Sequence, residues 1–500
     1  MIRRSRFDRC TRALIPTLFA LFTCTHVYGA NKNESWDAIY LGGSKIGYVH
    51  TYVEKVHYKG KEYQRVRIHI EQRLKRDKDI SVVNLEYGTI ETLDGEVLRL
   101  DTRILAGDAK DIRAHGDVIG GKMNLILESG ERQELVIPWS REVRGPYAPE
   151  QSMARKPMNE HERRDLKMFI AELNKVCDIT LTAGGIEPVV LGDGSSRPLL
   201  RVELTTRVDG KPRPEFDSTM WVDSSGQALK GEQDIFGGIV MYRTTKEAAM
   251  SAGGPIQFDL IKSTVIKIGR VLPDPEQTRQ VKYRISLKSG DPKEAIPTDS
   301  RQTVQLEGKA NEAILEVKTA GPLDGQPGPA EVDSQYLKPN VLITSADSRV
   351  LSLANQATKG AVDPWEKARR INHWVFEHIR DKNFGVAFAA ANEVARNLSG
   401  DCTEHAVLAA AMCRAVGIPA RAVVGLVYVE RLKGFGYHMW YEIYTNQRWV
   451  ALDPTFDQSS VDAVHIKIAE SSLEGVAPFE VFTPILRVAG KLEIEPLERR

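Results

Sequence analysis

The sequence predicts an α+β chain, with mostly antiparallel β-structure first and a C-terminal unit of helices followed by a sheet. Three observations predict it. Apolar and polar residues alternate with period two from residue 36 to about 241. Beyond Pro339 the apolar period turns helical. After Gly417-Ile418-Pro419 the chain ends in strands, and helices followed by an antiparallel sheet make an α+β domain. No internal repeat or low-complexity tract interrupts this plan.

Residues 1–30 read as an export signal. Arg3, Arg4, Arg6, Arg9 and Arg12 form a basic leader, and residues 13–24 are apolar apart from Pro16 and two Thr, too short to span a bilayer. Small Gly29 and Ala30 precede polar Asn31-Lys32-Asn33. The alternatives are an uncleaved anchor or a lipid on Cys24, which Phe22 and Thr23 disfavour because small residues are preferred there. The expected location is therefore the periplasm or the extracellular space. No later apolar run could cross a membrane.

The 500 residues suffice for about three domains. A hydrophobic share of 42% supports real cores, and a net charge of +1 gives no basic footprint for nucleic acid. Residues 31–254 form the expected β-rich N-terminal domain, an open curved sheet or half-barrel. Its turns are marked by Gly42-Gly43, Asp94-Gly95 and Asp209-Gly210. Val66, Ile68 and Ile70 alternate with Arg65, Arg67, His69 and Glu71, giving one buried and one wet face. One helix is expected at 159–175, with Leu166, Phe169, Ile170 and Leu173 on a common face. A small β domain at 255–320 follows, and then a linker at 321–339 that opens with a run of Gly and Pro.

The unit at 340–490 opens with a helix after Asp347, carrying Val350, Leu351, Ala354 and Ala357 and stopped by Gly360. Asp363-Pro364 is an N-cap followed by Pro at the first helical position, and Ala368, Ile371, Val375 and Ile379 make the stripe. Asp401 caps a third helix, with Glu404 at capping-box spacing, which puts Cys402 at the first helical position. Unpaired N–H groups there favour a thiolate and could steady an oxyanion.

A thiolate at neutral pH calls for a His. His405 rides the same helix, where it would be a packed or surface side chain. His438 lies on a strand that turns at Thr445-Asn446-Gln447 and returns through residues 448–452. Folding this hairpin sets His438 opposite or diagonal to Asp453, on one face with Trp440, Trp449 and Ala451. A carboxylate beside an imidazole fixes its tautomer and supports the imidazolium. Of five Cys, Cys10 and Cys24 lie in the leader, so the mature chain keeps Cys177, Cys402 and Cys413, an odd number. Cys402 and Cys413 would stand about 16 Å apart along one helix, beyond disulfide reach. Cys177 and Cys413 read as core, and no metal or other cofactor is expected.

Gly400-Asp-Cys-Thr-Glu-His-Ala406, Gly417-Ile-Pro-Ala-Arg421, Tyr437-His-Met-Trp-Tyr-Glu-Ile443 and Trp449-Val-Ala-Leu-Asp-Pro-Thr455 resemble the four motif blocks of the transglutaminase-like superfamily, over residues 341–456. The resemblance implies a papain-like core, thioester chemistry, Cys402 as nucleophile, His438 as base and Asp453 as its orienter. It also implies an upstream oxyanion donor, for which Asn397 and a residue near Phe384 are the candidates. The expected substrate is a peptide, protein or cell-envelope amide, hydrolysed rather than cross-linked. The N-terminal sheet resembles the curved-sheet domains of periplasmic lipoprotein carriers and could bind a protein partner. The rival expectation is an exported binding or scaffold protein with a vestigial triad.

Overall fold

The computed structural model describes residues 32–76, 79–106, 111–129, 132–259, 263–288, 290–324, 327–381, 389–474 and 480–499. The leader, Cys24 included, and Phe384 lie outside them. Among the described residues no helix is long and apolar enough to cross a membrane.

Period-two patterning through the first half becomes one sixteen-stranded sheet, antiparallel except where Val143–Arg144 joins Arg163–Ile170. Its first eight strands, Lys32–Leu41 to Arg132–Pro138, pair in chain order, and Lys32–Leu41 also pairs with Ile239–Thr244. The two ends of the sheet, Arg132–Pro138 and Val143–Arg144, are neighbours in sequence. Five residues of chain reach at most about 18 Å, so the sheet must curl until its ends approach. The predicted alternation holds: Val66, Ile68 and Ile70 are buried, while Arg67 is exposed. Asp209 and Gly210 both take positive φ, as a tight hairpin turn requires.

The helix expected at 159–175 is absent. Arg163–Ile170 is a strand paired with Lys175–Val190, and the short helix of this region lies earlier, at Ala148–Arg155. Leu166, Met168 and Ile170 also alternate, and that period prevails because Lys175–Val190 offers a full-length partner. Asn159 does not cap a helix; its N–H donates to Glu162 in a turn.

A four-stranded sheet carries Gln280–Leu287, Gln302–Leu306 and Glu312–Lys318, completed by Leu492–Arg499 from the far end of the chain. The C-terminal unit has the expected helices Ser348–Ala357, Pro364–His378 and Cys402–Ala415, with Ala391–Asn397 and the short Thr483–Val488 in addition. Asp347, Asp363 and Asp401 each accept backbone N–H groups as N-caps, a contact that contributes about 1 kcal/mol per helix. Ala368, Ile371, Val375 and Ile379 are fully buried. The helices cover a five-stranded antiparallel sheet in which Ile266–Lys267, Gly434–Thr445, Ala420–Val429 and His465–Ser471 lie in that order, with Arg448–Leu452 also paired to Gly434–Thr445. Gly328 and Pro329 dock on this sheet: Gly328 donates to the Gln447 carbonyl at 2.6 Å, and Tyr444 donates to the Pro329 carbonyl.

Candidate active site

Cys402 opens its helix as the spacing predicts. The Asp401 carboxylate accepts the Thr403 N–H at 2.8 Å, and Glu404 accepts the Asp401 N–H at 2.9 Å, closing the capping box. Glu404 also accepts the Ala389 N–H at 3.0 Å. Gly400 takes φ +136°, and a Cβ there would stand 2.4 Å from Glu404 Cγ, so only glycine fits ahead of the cap. Burial and the charge of Asp401 push the Glu404 carboxyl well above its ordinary range. Burial pulls the Arg76 guanidinium down, opposed by the charges of Asp401, Glu404 and Cys402. Arg76 ends the strand Lys61–Arg76, so the N-terminal sheet contributes a buried cation to this helix tip.

The His438 hairpin has its turn at Asn446 and Gln447, both at positive φ, and pairs Tyr441 with Leu452. Continuing that register sets Asp453 diagonal to His438. The two meet: His438 Nε2 donates to Asp453 Oδ2 at 2.5 Å, both fully buried. Asp453 Oδ1 accepts the Thr455 N–H at 2.7 Å. Burial acts to raise the Asp453 carboxyl, but the charges and hydrogen bonds of His438 and His465 outweigh it and hold the group far below the usual carboxylate range. His438 Nδ1, also buried, makes no hydrogen bond among the described residues.

Cys402 is 2% exposed, on a helix that packs against the His438 strand. The body of that helix shares a core with Tyr437, Met439, Tyr441 and Ile443, whereas Trp440 packs with Val423, Ala451 and Val461 on the other face. His438 has the parity of Trp440 and stacks near it, with ring centroids 6.1 Å apart. Cys413 bonds Tyr441, and the eleven residues back to Cys402 span about 16 Å, which brings the tip roughly level with Gly436 and His438. The structure thus joins His438 to Asp453 and packs the body of the Cys402 helix on the opposite face of their sheet, with no hydrogen bond to His438 Nδ1 among the described residues. His405 is packed, its Nδ1 2.6 Å from the Asp401 carbonyl. Asn397 is exposed at the end of its helix. Cys177, Cys402 and Cys413 form no disulfide. Burial pushes the Cys177 thiol up to about 12 and Cys413 higher still, so both are inert core.

His465 is the residue that sequence reasoning missed. Its Nε2 lies 3.2 Å from Asp453 Oδ2 and its Nδ1 2.7 Å from Asp462 Oδ1. Only the i, i+3 spacing of Asp462 and His465 hinted at it. The donor atoms of His438, Asp453 and His465 lie within 4.8 Å of one another, a set that could ligate a divalent ion. Two ligands on a tetrahedral zinc stand about 3.3 Å apart, so the 2.5 Å contact fits a shared proton better than a metal. A wide groove of about 1110 Å³ lies away from these residues, on the wet face of the N-terminal sheet beside His50, Arg67, His69, Asp101 and His115.

A capped helix bearing a Cys, packed on an antiparallel sheet bearing a buried His–Asp pair, is a papain-like α+β core. Residues 351–454 match the model of the transglutaminase-like superfamily. No curated protein matches the chain. Among solved structures it is similar to a cysteine-protease candidate from Cytophaga hutchinsonii, at 16% identity over 44% of this chain and 86% of that one, with a TM-score of 0.30. A β-barrel-like protein of unknown function from Brucella abortus is 15% identical over 43% of this chain and 96% of that one, TM-score 0.31. The periplasmic domain of TgpA from Pseudomonas aeruginosa is 14% identical over 36% and 91%, TM-score 0.21.

Proposed function

We propose that this chain is an exported cysteine enzyme that cleaves peptide or carboxamide bonds through a thioester, with Cys402 as nucleophile, His438 as base and Asp453 as orienter. The observation that carries the reading is the buried 2.5 Å contact of His438 with Asp453, which leaves Nδ1 of the ring without a partner among the described residues. That nitrogen takes the Cys402 proton, a step that requires the helix tip to reach the His438 face of the sheet. The thiolate, favoured at its helix tip, attacks the carbonyl carbon, and helix-tip N–H groups steady the oxyanion. The C–N bond breaks as His438 returns its proton to the leaving amine or ammonia. Water, deprotonated by His438, then adds to the thioester and releases the acid and the thiol. Hydrolysis is favoured over transfer to an amine, and the substrate class is a peptide, protein or cell-envelope amide. The basic, apolar leader at 1–30 supports export, and the division at 31–254, 255–320, 321–339 and 340–490 remains the proposed domain plan.

The test offers the protein glutaminyl peptides with and without a primary amine, following ammonia, free acid and conjugate. Hydrolysis gives ammonia and acid in equal amounts. Conjugate with little acid makes the chain a cross-linker, and no turnover over a broad peptide panel removes the enzyme reading. One observation favours the second reading, a scaffold with a vestigial triad: Cys402, His438 and Asp453 are all nearly closed to solvent. Selective alkylation of Cys402 at pH 7, lost in His438→Ala, decides for the enzyme. Equal, slow labelling of all three mature thiols decides for the scaffold.

A further inference from the structure

We propose that His465 is a positioning residue of this site: a buried imidazolium on the carboxylate oxygen that holds His438, which weakens the grip of Asp453 on the His438 proton. This rests on the reading of Cys402 and His438 as nucleophile and base.

The geometry fixes the charge of the ring. Each nitrogen of His465 faces a carboxylate, Nε2 towards Asp453 at 3.2 Å and Nδ1 towards Asp462 at 2.7 Å. A neutral imidazole donates from one nitrogen only, so a neutral ring would aim a lone pair at one of these oxygens in a site closed to solvent. Both nitrogens therefore carry protons. Asp462 is held for this contact: its Oδ1 also accepts the Val464 N–H at 3.1 Å, and its Oδ2 accepts Gln458 Nε2 at 2.7 Å. Burial alone would lower the His465 pKa, but the charge of Asp462 and the hydrogen bonds to both carboxylates raise it to about 9.

The titratable and charged groups around the pair come from every neighbouring element. Asp453 follows the strand Arg448–Leu452, Asp462 lies on the loop before the His465 strand, and His438 is on Gly434–Thr445, one strand away across Ala420–Val429. Behind Asp462, Arg301 donates to its carbonyl at 2.7 Å. Tyr441 feels the charge of Asp453 from the other side of the sheet, and Cys402 lies on the helix packed there.

The consequence concerns acid–base strength. A lone carboxylate would stabilise the His438 imidazolium fully. Here a second cation, with its ring centroid 5.6 Å from that of His438, shares the same oxygen and opposes a positive charge on His438. His438 then releases its proton more readily, which suits protonation of a poor amine leaving group. Removing the His465 charge takes a cation out of the site, which disfavours an anion there, the Cys402 thiolate included.

Two measurements on the full chain test this. In ring-¹⁵N NMR of the wild-type protein, His465 is expected to carry both protons at pH 7 and to lose one near pH 9. A neutral His465 at pH 7 overturns the proposal without any variant having to fold. In the second, iodoacetamide labelling of Cys402 is followed against pH in wild type and His465→Gln, a substitution that keeps a donor and removes the charge. The thiolate limb is expected to move up by about one pH unit. A slower rate on an unmoved limb means a structural role only and overturns the proposal. Labelling that is indifferent to His438→Ala overturns the nucleophile–base reading and the tuning with it, whereas the NMR result stands apart from that reading.

Discussion

The two large sheets of this molecule solve burial in opposite ways. In the N-terminal sheet the strand Lys61–Arg76 alternates a buried face with a wet one, and its charges other than the terminal Arg76 reach solvent at least in part. In the C-terminal sheet all ten residues of Ala420–Val429 are buried, and nearly all of Gly434–Thr445. A charge on the wet sheet needs no partner, whereas on the doubly covered sheet it must be paired and hydrogen-bonded. The covered sheet holds two such networks. One is His438, Asp453, His465 and Asp462. The other joins Lys467 to Glu442 at 3.0 Å and to Asp299 at 2.8 Å, with Arg421 on Glu442 at 2.6 Å. Polar residues on the wet sheet can be individual features; on the covered sheet they act as a group.

The sharpest way to break this contrast is kinetic. Cys402→Ala and His438→Ala are each expected to lower amide turnover by at least about 10³-fold, because members of such a set act together. His69→Ala on the wet face should leave turnover unchanged. Ammonia release from a glutaminyl peptide measures both. Comparable losses from all three substitutions would put the chemistry elsewhere.

Stability offers the next contrast. Lys467→Met leaves Glu442 with Arg421 alone and takes the cation from Asp299 beside the covered sheet, and should cost about 3 kcal/mol in urea denaturation. Gly425→Ala comes close behind. The added Cβ would stand 2.1 Å from the Ile466 carbonyl oxygen and 2.6 Å from the Trp440 ring, neither of which can yield easily, at a cost of about 3 kcal/mol. Gly88→Ala in the N-terminal sheet meets Asp101 Oδ2 at 1.9 Å, but that atom ends an exposed, flexible side chain and can turn away, so the loss should stay within about 1 kcal/mol. Equal losses at both glycines would deny the difference in packing.

Acidity separates His465 and Asp453, two members of this network, in sign. The folded-state pKa of His465 is raised to about 9, so its contribution is complete below the unfolded value of about 6.5 and fades as pH rises through 9. That of Asp453 is depressed, so its contribution is present above about pH 4 and fades only in stronger acid. Thermal midpoints of the wild type should fall by a few degrees between pH 7 and 10, and His465→Gln should show a smaller fall over the same range. An identical slope in both would mean that His465 is neutral in the fold.

How much of this was legible in the sequence follows the same division. Alternation announced the wet sheet, and the caps Asp347, Asp363 and Asp401 announced three helices, because such signals are local. The turn at Asn446 and Gln447 gave the hairpin register, and with it the pairing of His438 and Asp453. Segment 159–175 misled because Leu166, Phe169, Ile170 and Leu173 fit a helix as well as a strand; the long strand Lys175–Val190 decided between them. His465 was invisible for a topological reason. Its strand reaches Asp453 only because it pairs with Ala420–Val429 on the far side from the hairpin, an order that no local pattern encodes. Arg76 and the closing strand Leu492–Arg499 were hidden likewise, since each finds its partners across another unit of the chain.

The smallest expected effect completes the comparison of the two sheets. Lys55 and Glu62 form an ion pair at 3.2 Å on the wet sheet, across the turn between Ser44–Tyr58 and Lys61–Arg76, with the Lys55 side chain 60% exposed. Water already solvates both groups, and holding two long side chains in one geometry loses rotamer entropy that cancels much of the attraction. A double-mutant cycle with Lys55→Ala and Glu62→Ala should therefore return a coupling of at most about 0.5 kcal/mol, fading further in 1 M salt. The same cycle on Lys467 and Glu442 should return several times that coupling and resist salt, because solvent and counter-ions cannot reach the pair. Similar couplings and similar salt dependence in the two sheets would mean that burial on both faces does not govern how charges behave here, and the case for the His438 network as a coupled unit would weaken with it.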